Sequence, residues 1–438
     1  EEKGKMTFPP FEMMSAALRD QGNIWAGYRD NRADWMPDEL KGQLTEGSTT
    51  AYFAGCTASY IEQDIAKGSA ELLLRAGVDF TYLGEEENCC GIPMLISGRW
   101  DVWEENMKQN VANMKAQGVE TVITSCPACL LVWKEYYPQW CEKLGIEYGI
   151  EAKHYSEVLA EEIKAGRLEL PGEIDMTVTF HDSCHAGRAC GLYEPPRELL
   201  QAIPGIEMKE MEHNREDGLC CGSVLTLIGA TPVAADIGEQ RLQEALDIGV
   251  SDIVALCPCC QFQLRVTADK KGVPVTIHDL AHLAAQSLGV DLPQYHEACL
   301  AAWRVFDQMI VLMKPHNMAV VMEDVFPQMV DAMPAGMGSM MRAMARVPGA
   351  LEAMKPLMPK MFPLMMPMIM PKVMPDMVAA VDRRMDVPDD MREQMPDLLP
   401  KTMEALMPNM LPLIMPYVVP ALIRYLKEGV ASPARELT

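Results

Sequence analysis

The chain has 438 residues, 49% of them apolar, which is room for two or three domains with ordinary cores. Its formal net charge is −24 with no Lys/Arg cluster to offset it, so a nucleic-acid partner is excluded and a solvated acidic surface is expected. Fourteen cysteines, no recognisable signal peptide and a length that needs no disulfide staples point to metal in a reducing compartment.

In chain order, residues 1–48 read as an irregular N-terminal arm that mixes Pro, Gly, aromatics and charge. The chain opens on Glu1 rather than methionine, which leaves open a trimmed or unseen upstream module. A short helix is expected around Phe11–Arg19, and the run NIWAGYRDNRADWMP is expected to wrap onto the body through Trp25, Tyr28 and Trp35. Residues 49–170 and 171–295 then read as an internal repeat. Each copy opens with an apolar run into a cysteine, TAYFAGC to Cys56 and MTVTFHDSC to Cys184. A helical stretch follows, then a second strand (VDFTYLG; IEMKEME), a Cys-Cys-Gly turn and another helical stretch. The third strand again ends on a cysteine, VETVITSC at Cys126 and VSDIVALC at Cys257. Each copy closes with a strand, a histidine and an amphipathic helix; His154 and His278 are placed at equivalent positions, where capping or packing explains them.

Strand alternating with helix predicts an α/β fold with two Rossmann-like parallel sheets. Cys56, Cys126, Cys184 and Cys257 then fall at carboxyl ends of strands, the edge where open α/β sheets bind ligands. Residues 296–438 differ. Twenty-six of thirty-six methionines lie beyond residue 305, and prolines recur every fourth residue from Pro359 to Pro375 and from Pro408 to Pro420. Proline removes a helix hydrogen bond and clashes with the preceding turn, so this α-helical segment is expected as short kinked helices rather than one long one. The uncharged run Ala405–Ile423 is long enough to cross a bilayer, but its prolines argue against a clean span. Docking to a membrane or a membrane subunit is the favoured reading; an ordinary helical subdomain with a methionine core is the blander one.

Ten cysteines carry the chemistry. The first copy runs Cys56, thirty-two residues, Cys89-Cys90, thirty-five residues, Cys126-Pro127-Ala128-Cys129. The second runs Cys184, thirty-five residues, Cys220-Cys221, thirty-five residues, Cys257-Pro258-Cys259-Cys260. Proline is favoured in a helix's first turn, so the cysteine before it sits at a helix N-terminus whose free N–H groups face an anion. Gly91 and Gly222 after the pairs allow close backbone approach. Five thiolates per half suit an iron–sulfur centre; structural zinc takes four and would leave one spare. Cys259 reads as a buried thiol, and Cys141, Cys190 and Cys299 as core or surface thiols. His181 and His185 bracket Cys184, and hydrogen bonding to the centre is favoured over ligation.

The two blocks resemble the CCG domains of heterodisulfide reductase B and D subunits. Similar pairs occur in the iron–sulfur subunits of glycolate oxidase, anaerobic glycerol-3-phosphate dehydrogenase and membrane redox complexes of sulfate reducers. The resemblance spans about residues 20–290 and rests on two complete five-cysteine motifs. It implies a noncubane [4Fe-4S] cluster in each half: one on Cys56, Cys89, Cys90, Cys126 and Cys129, the other on Cys184, Cys220, Cys221, Cys257 and Cys260, with zinc an alternative at one site. It further implies an oxidoreductase subunit of a membrane-associated anaerobic respiratory complex. Its expected place is peripheral, on the cytoplasmic side of the membrane, with a small or protein-borne disulfide/dithiol as substrate. Expected partners are a membrane cytochrome b-type or quinone-reactive subunit and a ferredoxin-like or multihaem cytochrome subunit, since the upstream ferredoxin-like motif of D-type relatives is not seen in this sequence. The rival reading is a non-catalytic relay between a flavoprotein or cytochrome and the quinone pool.

Overall fold

Between Thr50 and Asp279 the chain alternates strand and helix twice, and each round builds a four-stranded parallel sheet in this computed structural model of the protein. Residues 9–25, 27–227, 230–354, 356–385 and 389–428 are described; Glu1 lies outside them. In the first sheet β1 (Thr50–Phe53), β2 (Thr81–Tyr82), β3 (Thr121–Thr124) and β4 (Glu151–His154) lie in the order β2-β1-β3-β4. In the second, β5 (Met176–Phe180), β6 (Ile206–Met208), β7 (Asp252–Ala255) and β8 (Thr276–Asp279) repeat it as β6-β5-β7-β8. The central strands β1, β3, β5 and β7 are the most buried, and their β-branched and aromatic residues suit a sheet covered on both faces. The α/β reading of the sequence is therefore what the fold shows.

Strand order reverses between β1 and β3, and between β5 and β7, which makes each gap a switch point where α/β folds open a ligand crevice. The register corrects one equivalence. Thr124 pairs with His154, whereas Ala255 pairs with Asp279, so the residue matching His154 is Asp279 and not His278. Both cap the following helix: His154 Nδ1 accepts from the Ser156 N–H, and Asp279 Oδ1 from the His282 N–H. His278 instead pairs with Asp252 at 2.8 Å.

Leu18–Ala302 forms one compact unit that carries both sheets. The described parts of 1–17 and 303–438 form the other. The early helix spans Pro9–Gln21, slightly beyond the expected Phe11–Arg19.

The helical unit overturns the expectation of short kinked helices, because Met358–Asp382 and Asp389–Glu428 are each continuous. The reason lies in the spacing. A proline at position i removes the bond to the carbonyl at i−4, and with prolines four apart that carbonyl belongs to the previous proline. The losses therefore stack in one column while the other columns stay intact. That column faces outward: Pro367, Pro371, Pro375, Pro412, Pro416 and Pro420 are exposed. The opposite column, with Ile369, Val373 and Met377 on one helix and Ile414, Val418 and Leu422 on the other, is buried in a methionine-rich core. Met410–Glu428 is long and apolar enough to cross a membrane by length and composition, and 56% of that window is buried inside the structure.

Candidate metal centre

All four strand-end cysteines lie at the switch points. Cys126 and Cys257 are the N-cap residues of helices beginning at Pro127 and Pro258, so the first-turn proline does what the sequence implied. Cys56 opens the helix Cys56–Tyr60 behind Gly55, whose φ of 78° favours glycine and where a Cβ would crowd Cys129 Sγ at 3.2 Å.

The Cys-Cys-Gly turns are built alike. Gly91 and Gly222 have φ of 81° and 89°. The Gly91 N–H donates to Cys89 Sγ at 3.5 Å, and the Gly222 N–H to Cys220 Sγ at 3.3 Å. A Cβ on Gly222 would meet the Ala234 carbonyl oxygen at 2.5 Å, so the turn depends on glycine. In the first half Asn106 and Asn110 donate to the Cys89 carbonyl at 2.7 and 2.9 Å, and Tyr137 to the Cys90 carbonyl at 2.9 Å.

The sulfurs converge in the same sequence in both halves. Cys56 meets Cys89 at 3.4 Å, Cys89 neighbours Cys90, Cys90 neighbours Cys129, and Cys129 neighbours Cys126. Likewise Cys184 neighbours Cys220, Cys220 neighbours Cys221, Cys221 meets Cys260 at 3.3 Å, and Cys260 neighbours Cys257. The two chains of thiols join, because Cys126 also neighbours Cys257 and Cys259. Every motif cysteine named from the sequence thus takes part in one continuous line of ten. Among the described residues all fourteen cysteines are free.

Such crowding divides the protons unevenly. Cys129 and Cys89 hold Cys90 down to about 6, while Cys89 and then burial push Cys56 well up. In the second half Cys184 and Cys221 hold Cys220 down, and Cys220 with burial pushes Cys184 up. A metal binds the thiolate form, so loading either site releases the protons that remain on these thiols.

Buried ion pairs fix the surrounding loops, and sequence reading missed them because the partners are far apart in the chain. Arg32 and Glu87 are fully buried at 2.6 Å, and Glu87 accepts from the Ala54 and Gly55 N–H groups just before Cys56. Burial pushes Glu87 up while Arg32 pulls it down. In the second half Arg197 grips Asp182 with two bonds of 2.8 Å and also reaches Glu210. Arg265 of the second half reaches Glu62 of the first at 2.5 Å.

The halves differ in cover. The opening segment closes over the first: Gly22 O accepts from the Cys89 N–H, Tyr28 O from Tyr60, and Trp35 Nε1 donates to Tyr82 Oη. Trp25 donates to Thr57 and packs on Phe262 of the second half at 5.6 Å. All five first-half cysteines are buried, whereas Cys184, Cys220 and Cys259 are half-buried. Cys259 is thus more exposed than expected and lies against Cys126 and Cys257. The remaining thiols sit elsewhere: Cys141 by Lys115, Cys190 by Lys134, and Cys299 by Glu62 and Arg265.

Of the bracketing histidines, His185 is half-buried and His181 fully buried. A ring nitrogen of His181 lies within 4.8 Å of the Sγ atoms of Cys221 and Cys260. Burial, and after it Arg241, push His181 down to about 4.

Two α/β halves, each carrying five converging thiols, define a paired cysteine-rich domain, and the CCG cysteine-rich domain family matches residues 50–134 and 178–265. Over 295 residues the chain is 34% identical to the D subunit of a dihydromethanophenazine:CoB–CoM heterodisulfide reductase of Methanosarcina acetivorans, covering 66% of this chain and 71% of that one. It is 34% identical to the "Probable iron-sulfur-binding oxidoreductase FadF" of Bacillus subtilis, covering 66% of this chain and 42% of that protein. It is also 36% identical to an EtfAB:quinone oxidoreductase of Syntrophomonas wolfei, covering 57% and 36% respectively. The chain belongs to the family of heterodisulfide reductase D subunits.

Proposed function

We propose that this chain is an iron–sulfur electron-transfer subunit of an oxidoreductase, with one multi-iron centre on Cys56, Cys89, Cys90, Cys126 and Cys129 and another on Cys184, Cys220, Cys221, Cys257 and Cys260. The observation that carries the reading is the line of ten thiols, five in each half in matching order, joined at Cys126 and Cys257. The donor set fits the group: five thiols exceed the four a structural zinc takes, and each site adds a helix N-terminus and a glycine N–H aimed at sulfur. When bound, such centres supply one-electron transfer at tuned potentials.

The protein's own residues hold the two centres next to one another and give them different access. Burial of all five first-half cysteines suits an electron relay that excludes water and thiols. Half-exposed Cys184 and Cys220 suit a face open to a substrate or partner. A disulfide fits that face: its reduction takes two electrons and two protons and yields two thiols, and two adjacent centres supply one electron each. The names of the relatives support redox partners for this chain, and we assign a membrane quinone-reactive or cytochrome b-type subunit on the cytoplasmic side to that role. The helical unit favours docking over spanning, because the carbonyls of Pro412 and Pro416, freed by Pro416 and Pro420, lie on the exposed face and need donors that hydrocarbon lacks.

Counting iron, acid-labile sulfide and zinc per chain on anaerobically purified protein tests the reading. About eight irons with matching sulfide are expected. Zinc alone would overturn it, and about four irons with one zinc would leave a single redox centre and end the two-electron disulfide scheme.

A further inference from the structure

The second half carries a device that the first lacks. Three residues before its first cysteine stands His181, where the first half has Phe53. His181 is 1% exposed, and its main-chain N–H is fixed by the Val254 carbonyl of β7. Its Nδ1 accepts from Arg241 Nε at 3.2 Å. Arg241 is itself fully buried and held on every side: Nη1 donates to the His213 carbonyl and to Glu244 at 2.7 Å each, and Nη2 to the Phe180 carbonyl at 3.2 Å. A guanidinium can only donate, so Nδ1 must be the acceptor nitrogen and the ring proton resides on Nε2. Nε2 is buried and, among the described residues, has no hydrogen-bond partner. An orphan buried N–H is costly, and a ring nitrogen of His181 lies within 4.8 Å of the sulfurs of Cys221 and Cys260.

We propose that His181 is a positioning residue whose Nε2–H donates a hydrogen bond to sulfur of the second-half centre, with Arg241 locking the tautomer so that the ring donates rather than ligates. This rests on the iron–sulfur reading above. A donor to sulfur stabilises the more negative, reduced state and so raises the reduction potential. Electrons arriving through the buried first half would then run downhill to the half-exposed second half.

The test is an EPR-monitored redox titration of the iron-loaded full chain as wild type, His181→Leu and His181→Gln. In His181→Leu one centre should fall in potential by about tenfold in its one-electron equilibrium constant, ~59 mV, while the other stays put. His181→Gln keeps an N–H and should recover part of the shift. Should His181→Leu fail to load iron, the wild-type protein decides through its hyperfine spectrum. An exchangeable proton coupling with only weak nitrogen coupling is expected, and strong nitrogen coupling would mean ligation and overturn the assignment. Potentials unmoved in both variants would overturn it alone. Iron missing from the second half of the wild type would overturn it together with the functional reading.

Discussion

The two halves of the Leu18–Ala302 unit share strand order, cysteine order and sulfur neighbours, yet they surround their thiols differently. The first is closed by the opening segment and anchored by the fully buried Arg32–Glu87 pair. The second leaves Cys184 and Cys220 half-exposed, shares its Arg197 between two carboxylates, and adds the Arg241–His181 pair. A duplicated fold has kept the ligand frame and varied what touches it, which separates holding a centre from setting its access and potential.

The comparison breaks first at the ligands. Cys90→Ala and Cys221→Ala should each lose about half of the bound iron and leave the other centre spectroscopically intact. Loss of all iron from either variant would show that the halves do not bind independently. Next come the anchors. Glu87→Ala strands a buried guanidinium and two backbone N–H groups, and should cost about 3–5 kcal/mol in urea unfolding. Asp182→Ala leaves Arg197 with Glu210 and should cost less; equal losses would remove this difference between the halves.

Access can be read on metal-free protein with iodoacetamide and mass spectrometry. Cys220, held down by its neighbours and half-exposed, should be modified roughly tenfold faster than any of the five first-half thiols. Uniform rates would contradict the closed-versus-open contrast. The smallest expected effect concerns the matched helix caps. Burial pushes His154 down to about 3, below its unfolded value of 6.5, so its contribution is whole above 6.5 and is lost as pH falls toward 3. Burial, and then Asp64, push Asp279 up to about 6 from 3.8, so its contribution is greatest below 3.8 and is lost as pH rises through 6. His154→Asn keeps a cap and should remove about 1–2 kcal/mol of the stability loss between pH 7 and pH 5. An unchanged pH profile would refute the assigned sign.

The sequence made the four central strands legible because each runs into a cysteine. It made the helix starts at Pro127 and Pro258 legible because proline marks a first turn. It could not show that the lines of thiols join at Cys126 and Cys257, since no local pattern encodes a contact between halves. Matching His154 to His278 by residue type missed by one position what the backbone register decides. Counting prolines as breakers ignored their phase, which puts the lost bonds on the outer face of Met358–Asp382 and Asp389–Glu428. Arg32–Glu87 and Arg241–His181 left no trace in the sequence because the partners are separated by 55 and 60 positions.

The central claim is that two iron–sulfur centres sit side by side, joined through Cys126 and Cys257. Pulsed and continuous-wave EPR on protein prepared with both centres paramagnetic tests it most directly. The account predicts spectra split by spin–spin interaction that collapse to a single-centre signal in Cys221→Ala. Two unsplit, independently relaxing signals, or a single signal already in the wild type, would contradict it.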